Sequence, residues 1–352
     1  MNAPLRFAHS PAVAGSLLAF ADVRKAYFGR DGVERVALDG VSFEMANGEI
    51  LAVIGSASSG KSALARLAAG LEHPNSGMVA LDGAAMSGEQ ARAGVVYLSA
   101  SAEPPSQRPI REIVAELAEK ARPDAGRKLD ALMELLELGP DGDRYFDELS
   151  DGARRRVALA RALAAEPRLL VLDGATSALD PEIAEAVLAA LSWANREIGV
   201  GILLVTHDMS AVTALATRVV VLDGGQVVEE GATARVFAHS GHAVTRRFAA
   251  AATGATLPPF LAGKLSATPQ PMGKALVRLA FEGPAATRPV LTSVARELGF
   301  DVGIVAGSLG AAGGAPYGVL IVAAPSDEPY FTAVVERFED SGLGVELLGF
   351  VA

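Results

Sequence analysis

The chain of 352 residues contains no cysteine, so disulfide frameworks, thiolate zinc sites and cysteine nucleophiles are excluded. It also lacks any excess of positive charge. Lys and Arg number 31 against 41 Asp and Glu, a formal net charge of −10. With no long basic run to offset that balance, a nucleic-acid partner is not expected. Mean hydropathy is high, at +0.31. It comes from Ala, Val and Leu spread along the chain, and no stretch approaches the roughly 18 apolar residues that would span a bilayer. The segment Ala12 to Ala21 follows only Arg6 and His9 and runs directly into Asp22, Arg24 and Lys25. It reads as an irregular lead-in to a first strand rather than a signal peptide, which points to a cytoplasmic protein. Half of the residues are hydrophobic and a fifth charged, a composition that rules out a disordered polymer.

Residues 17–250 read as one α/β unit. Apolar runs at Ile50–Ile54, Leu169–Leu172, Ile202–Val205 and Val219–Leu222 alternate with longer helical patterns, which predicts a mostly parallel sheet. Leu64, Leu67 and Leu71 mark a helix face after the first run. Residues 251–272 carry Pro258, Pro259, Pro269 and Pro271 among Gly, Ala and Thr, the composition of a linker. Residues 273–352 then form a smaller unit. Val277, Leu279 and Phe281 alternate as a strand, and Val290, Val294 and Leu298 mark a helix. Asp301–Leu309 and Tyr317–Ala323 flank a turn at Gly313 and Gly314. Phe331, Val334, Val335 and Phe338 mark a second helix, and Val345–Val351 a closing strand. The order βαββαβ is that of an α+β, ferredoxin-like sandwich. With five basic and nine acidic residues, this unit is not a nucleic-acid module either.

The strand Glu49–Ile54 leads into Gly55, Ser56, Ala57, Ser58, Ser59, Gly60, Lys61 and Ser62, with Ala63 opening a helical pattern. This is GxxxxGKS in the strand–loop–helix context that gives the motif its meaning. Backbone N–H groups of such a loop, together with a helix N-terminus, form a nest for phosphate oxygens. Lys61 would reach the β- and γ-phosphates and Ser62 would ligate Mg²⁺. Downstream, Leu169–Leu172 ends in Asp173, a carboxylate at the C-terminal end of a buried strand, where a further Mg²⁺ partner belongs.

Between these motifs, residues Leu149–Leu163 read LSDGARRRVALARAL, which resembles the LSGGQ signature helix of ABC-type ATPases. Ala175–Pro181 (ATSALDP) resembles their D-loop, and Val205, Thr206, His207 and Asp208 their switch-histidine segment. Together with the tail that ends in Val345–Val351, the chain resembles the ATPase subunit of bacterial methionine importers, whose C-terminal NIL/ACT-like domain senses cytoplasmic methionine. The resemblance implies a P-loop ABC ATPase domain with a helical subdomain over 17–250, a linker over 251–272 and a regulatory domain over 273–352. It further implies ATP and Mg²⁺ as ligands and a homodimer paired head to tail. Integral-membrane permease subunits and, through them, a substrate-binding lipoprotein would be partners at the cytoplasmic face of the inner membrane. In such a dimer Tyr27 would stack on adenine, Ser150 and Gly152 would face the partner's nucleotide, His207 would contact the γ-phosphate, and Asp180 would occupy the D-loop.

Five positions depart from that pattern. Gly174 stands where the family has the Glu that orients and deprotonates the attacking water. Leu98 stands where the strand through Val95 and Tyr97 should deliver the Q-loop Gln, and Gln107 lies too far along to replace it. Ser58 replaces a loop glycine. Asp151 and Ala153 alter the signature to LSDGA; Asp151 would also suit the positive end of a helix as a cap. In the tail a further position departs: after Asp301 and Val302, Gly303 stands where a DVN pattern carries Asn, which argues against methionine sensing. Lys61, Ser62, Asp173, Asp180 and His207 remain. The expectation is an importer ATPase that hydrolyses weakly; the alternative is an ATP-binding, hydrolysis-deficient regulatory or structural subunit.

Overall fold

The computed structural model describes residues 15–86, 93–99, 108–121, 126–176, 180–269 and 272–352. Gln107, Pro271, residues 12–14 and the middle of the Ala175–Pro181 segment (177–179) lie outside this set. Two compact units are present. One holds the described residues up to Ala211 with Val220–Val228, the other Val212–Val219 with Glu229–Ala352. This division falls earlier in the chain than the composition change near 250.

The first unit contains an antiparallel sheet. It is built from β1 (Ser16–Phe28), β2 (Glu34–Ala46), β4 (Ser76–Leu81) and β5 (Ala84–Ala85) in the order β2-β1-β4-β5, with β3 (Ile50–Gly55) leaving for a second sheet. Ser16–Ala21, expected as an irregular lead-in, is already β1. Leu18 and Phe20 are buried against the core, and the Phe20 and Phe43 rings stack 4.7 Å apart across the pair. Apolar cross-strand packing therefore extends the strand back to Ser16.

The second sheet adds β6 (Val95–Ser99), β7 (Leu169–Asp173), β8 (Gly201–Val205), β9 (Arg218–Asp223) and β10 (Gln226–Ala232), in the order β10-β9-β3-β8-β7-β6. The β3–β8, β8–β7 and β7–β6 pairs are parallel, with Val53 opposite Val205, Leu204 opposite Leu172, and Val171 opposite Tyr97. Every residue of β3 and β8 is buried, which is why these strands read as unbroken apolar runs. Helix α1 (Lys61–Ala68) follows β3 and buries Leu64 and Leu67. It ends before Leu71, because Gly70 turns left-handed at φ 64°. Leu71 is exposed rather than part of the helix face.

Helices α2 (Ile110–Ala121), α3 (Gly126–Leu135) and α4 (Asp151–Ala164) pack on one another as a helical layer, and α5 (Pro181–Ile198) packs against α3 and α4. Helix α6 (Met209–Leu215) follows β8. No helix among the described residues is long and apolar enough to cross a membrane.

The second unit carries α7 (Thr233–Ala238), α8 (Ala243–Thr253), the short α9 (Pro259–Ala262), β11 (Lys274–Glu282), α10 (Val290–Leu298), β12 (Gly303–Ala312), β13 (Ala315–Pro325), α11 (Tyr330–Asp340) and β14 (Gly344–Val351). Its sheet runs β12-β13-β11-β14, wholly antiparallel, the strand order of a ferredoxin-like sandwich. Gly313 and Gly314 make the β12–β13 turn at φ 55° and 80°, left-handed at both positions as a tight hairpin requires. Val277, Leu279 and Phe281 pack with Val290, Val294, Val334 and Phe338 beneath α10 and α11. Because strand side chains alternate, Tyr317 emerges on the opposite face, where its ring lies 6.2 Å from that of Phe237 on α7. Both faces of this sheet are thus covered, the second by α7 and α8.

Candidate functional site

The C-terminal ends of β3, β7 and β8 lie side by side, since Val53 pairs with Val205 and Val205 with Asp173. Open α/β sheets bind ligands at this edge. Residues 55–62 cross it. Gly55 has no room for a side chain: a Cβ there would sit 2.3 Å from the Leu222 carbonyl oxygen. Gly60 caps α1 at φ 97°, where a Cβ would meet the Ala37 carbonyl oxygen at 2.2 Å. Ser59 is buried, its amide donating to the Ser56 carbonyl at 3.2 Å, while the Ser56 hydroxyl donates to Asp223 at 2.9 Å. Ser58 stands at φ 62°, a left-handed conformation that a glycine adopts freely and a serine holds at a cost of about 1–2 kcal/mol.

The Lys61 ammonium curls back over the loop, donating to the carbonyls of Gly55 at 2.8 Å and Ser56 at 2.7 Å. Burial pushes its pKa below the ordinary lysine value, opposed by the nearby Asp173 carboxylate. The Ser62 hydroxyl donates to Asp173 Oδ1 at 3.2 Å, and the Tyr97 hydroxyl donates to Asp173 Oδ2 at 3.0 Å. Burial, reinforced by the Asp173 charge, pushes the Tyr97 phenol up to about 12. Ala63 is buried at the start of α1. One ammonium, a helix N-terminus and a glycine-bounded loop fit a polyphosphate. A hydroxyl beside a carboxylate supplies the hard oxygen donors of Mg²⁺, which keeps several waters and needs few protein ligands. Asp173, more than a hundred residues downstream, therefore meets Lys61 and Ser62 at one edge.

The other expected residues fall as follows. His207 is exposed two residues beyond Val205, the strand partner of Asp173. Asp208 accepts from the amides of Ser210 at 3.0 Å and Ala211 at 3.4 Å, so its carboxylate is committed to the start of α6. Asp180 is exposed and precedes α5, whose first residue is Pro181. Ser150 caps α4, its hydroxyl accepting from the Ala153 amide at 3.3 Å. Asp151 is thus not the cap: it sits in the first turn with its side chain 96% exposed and 3.9 Å from Arg154. A Cβ at Gly152 would collide with Ile183, and Ala153 is buried.

Tyr27, expected to stack on adenine, is half-buried. Its hydroxyl donates to Glu72 at 2.6 Å and accepts from Arg66 at 3.1 Å, and the Lys25 ammonium lies 5.0 Å from the ring centre. Burial would raise the Glu72 carboxyl, but hydrogen bonds from Tyr27, Arg66 and Lys25 outweigh it and hold the group at about 2. This charged cluster escaped sequence reasoning. Its only signal was the Lys25–Tyr27 spacing on a strand, which says nothing of Glu72.

The positions that depart from the expected pattern are structurally distinct. Gly174 adopts φ 69°, its amide donating to the Val205 carbonyl at 2.9 Å. Leu98 is buried on β6 opposite Leu172 and, with Leu159, Val187 and Leu191, lines a mainly apolar pocket between β6, β7, α4 and α5 that Ser99, Arg155 and Thr176 also border. Gly303 opens β12 with space for a side chain, 3.7 Å from the Ala323 methyl, so no steric demand selects glycine there.

Residues 38–177 match the ABC transporter family and residues 275–347 the NIL domain. The methionine import ATP-binding protein MetN 1 of Rhodopseudomonas palustris is 38% identical over the full length of both chains. MetN of Rhizobium meliloti is 39% identical over 96% of this chain and 98% of its own. Among solved structures, the ATP-binding cassette MJ0796, determined as a dimer in a post-hydrolysis state with ADP and Pi, superposes with a TM-score of 0.53 at 25% identity, covering 61% of this chain and 98% of that one. CbiO1 of Clostridium perfringens, part of an ABC transporter complex, superposes at 0.55 and 25% identity, covering 64% of this chain and 92% of its own. The fold and site define an ABC-type nucleotide-binding protein, and the chain belongs to the family of methionine import ATP-binding proteins.

Proposed function

We propose that this chain is the ATP-binding subunit of an amino-acid importer of the methionine type, working with weak hydrolysis. Residues 17–250 would bind nucleotide, 251–272 link, and 273–352 regulate. Lys61 and the amides of Gly55–Ser62 would hold the β- and γ-phosphates, Ser62 and Asp173 would hold Mg²⁺, and Tyr27 would stack on adenine. Two copies would pair head to tail, with Ser150 and Gly152 of one facing the nucleotide of the other and His207 contacting the γ-phosphate from its own side. The dimer would sit at the cytoplasmic face of the inner membrane through its permease, and would meet a substrate-binding lipoprotein only indirectly.

The observation that carries this reading is the union of Lys61, Ser62 and Asp173 at one sheet edge beside a glycine at the position of the general base. Losing a positioned base typically costs about 10²–10⁴ in rate. Because a glycine at 174 has no side chain to act as a base, a second reading stands beside it, a subunit that binds ATP and dimerises without useful turnover. Calorimetric titration of ATP with Mg²⁺, combined with phosphate release on the same preparation, tests both. Binding with turnover far below about 1 s⁻¹, the low end of ordinary enzyme rates, is expected. Absence of ATP binding refutes both readings, and turnover that drives transport in a reconstituted importer selects the first.

A further inference from the structure

Both oxygens of the Asp173 carboxylate accept hydrogen bonds from this chain. Oδ1 receives the Ser62 hydroxyl at 3.2 Å, and Oδ2 receives the Tyr97 hydroxyl at 3.0 Å. Only Ser62 belongs to the expected metal-binding set. Tyr97 reaches the carboxylate because β6 and β7 run in parallel register, Tyr97 opposite Val171 and Ser99 opposite Asp173. The next residue, Leu98, turns into the apolar pocket and brings no polar group toward the site.

We propose that Tyr97 is a positioning residue for Asp173: its phenol O–H, donated to Oδ2, holds the carboxylate with Oδ1 turned toward Ser62. The two oxygens that would meet Mg²⁺ are then aligned before nucleotide arrives. The inference rests on the ATP–Mg²⁺ reading above. The terminal torsion of an Asp side chain is broad and roughly two-fold, so a carboxylate tied at one oxygen only would sample orientations with Oδ1 away from Ser62. Two donors approaching from different elements, Ser62 on α1 and Tyr97 on β6, remove that freedom. Ligating carboxylates are commonly held by such outer hydrogen bonds, and removing the partner typically weakens metal affinity about 10–100-fold. A phenol suits the task because it stays protonated across the working pH range and therefore always has a proton to donate.

Tyr97→Phe tests the proposal, since it deletes the hydroxyl and keeps the ring in its packing. Binding of a fluorescent ATP analogue to the full chain would be measured in EDTA and across a Mg²⁺ titration. The thermal midpoint without ligand serves as the control on folding. The expected result is an affinity in EDTA equal to the parent's and a half-saturating Mg²⁺ concentration raised about 10-fold or more. An unchanged Mg²⁺ requirement overturns the proposal. So does an equal loss of binding with and without Mg²⁺, which would make Tyr97 a merely structural residue. If the parent binds no nucleotide in either condition, the ATP–Mg²⁺ reading itself falls, a result distinct from both.

Discussion

Returning a carboxylate to position 174 opposes two effects whose sizes can be compared. A Glu in place of Gly174 would supply a base beside the water, a gain of about 10²–10⁴ in rate or roughly 3–5 kcal/mol of barrier. The backbone there stands at φ 69°, however, and an L-residue in that region costs about 1–2 kcal/mol. Relieving the strain by rotating the peptide would endanger the hydrogen bond from the Gly174 amide to Val205. The strain converts to roughly 2–8 °C of thermal midpoint for a domain of this size. Gly174→Ala is the control, carrying the backbone cost without the carboxylate, so both variants should melt earlier than the parent by similar amounts. The rate gain should be partial as well. Leu98 stays buried in an apolar pocket, and Asp151 keeps an exposed carboxylate on the signature helix. Groups acting as one catalytic unit are strongly non-additive. Phosphate release at saturating ATP would be measured for Gly174→Glu, Leu98→Gln and Asp151→Gly singly and for the triple variant, which should exceed the product of the single gains. If Gly174→Glu alone reaches the triple's rate and melts with the parent, the reasoning from both strain and joint degradation is wrong.

Three further outcomes are expected. Lys61→Ala should abolish most ATP affinity by removing the charge that complements the phosphates, and calorimetry showing the parent's Kd would contradict the assignment. The unmodified chain should release phosphate far more slowly than relatives with Glu at the position of Gly174; a rate near 1 s⁻¹ would require another base, and Asp180 would be examined before Asp208, whose carboxylate is tied to α6. Glu72→Gln should destabilise the fold by about 1–3 kcal/mol at neutral pH, because it strips the counter-charge from Arg66 and Lys25. The folded pKa of Glu72 is depressed to about 2 from an ordinary 4.5, so its contribution is complete above 4.5 and is lost as pH falls toward 2. Chemical denaturation of both proteins between pH 7 and 2 would show the gap closing in acid; a constant gap would refute the linkage.

The parallel strands were legible in the residues, because strands buried on both faces must be apolar at every position. Ile50–Ile54 and Ile202–Val205 are so buried. Legible too were the phosphate loop, whose chemistry is written in eight consecutive residues, and the βαββαβ order, since each of those elements is short and periodic. The glycine at 174, where the resemblance expects a carboxylate, was legible for the same local reason. What those residues touch depends on how distant segments pack. Tyr97 and Asp173 are 76 positions apart, and only the β6–β7 register brings hydroxyl to carboxylate. The ties from Tyr27 to Glu72 and Arg66 depend on where α1 ends, which the apparent periodicity through Leu71 concealed and Gly70 settled. The left-handed turn at Gly174 is invisible in a residue type that accepts any φ, and it arises because the peptide must follow β7 while donating to β8. The cover that α7 and α8 place on the second sheet was equally unreadable. An amphipathic helix shows that one face is buried, while the chain fold decides against what.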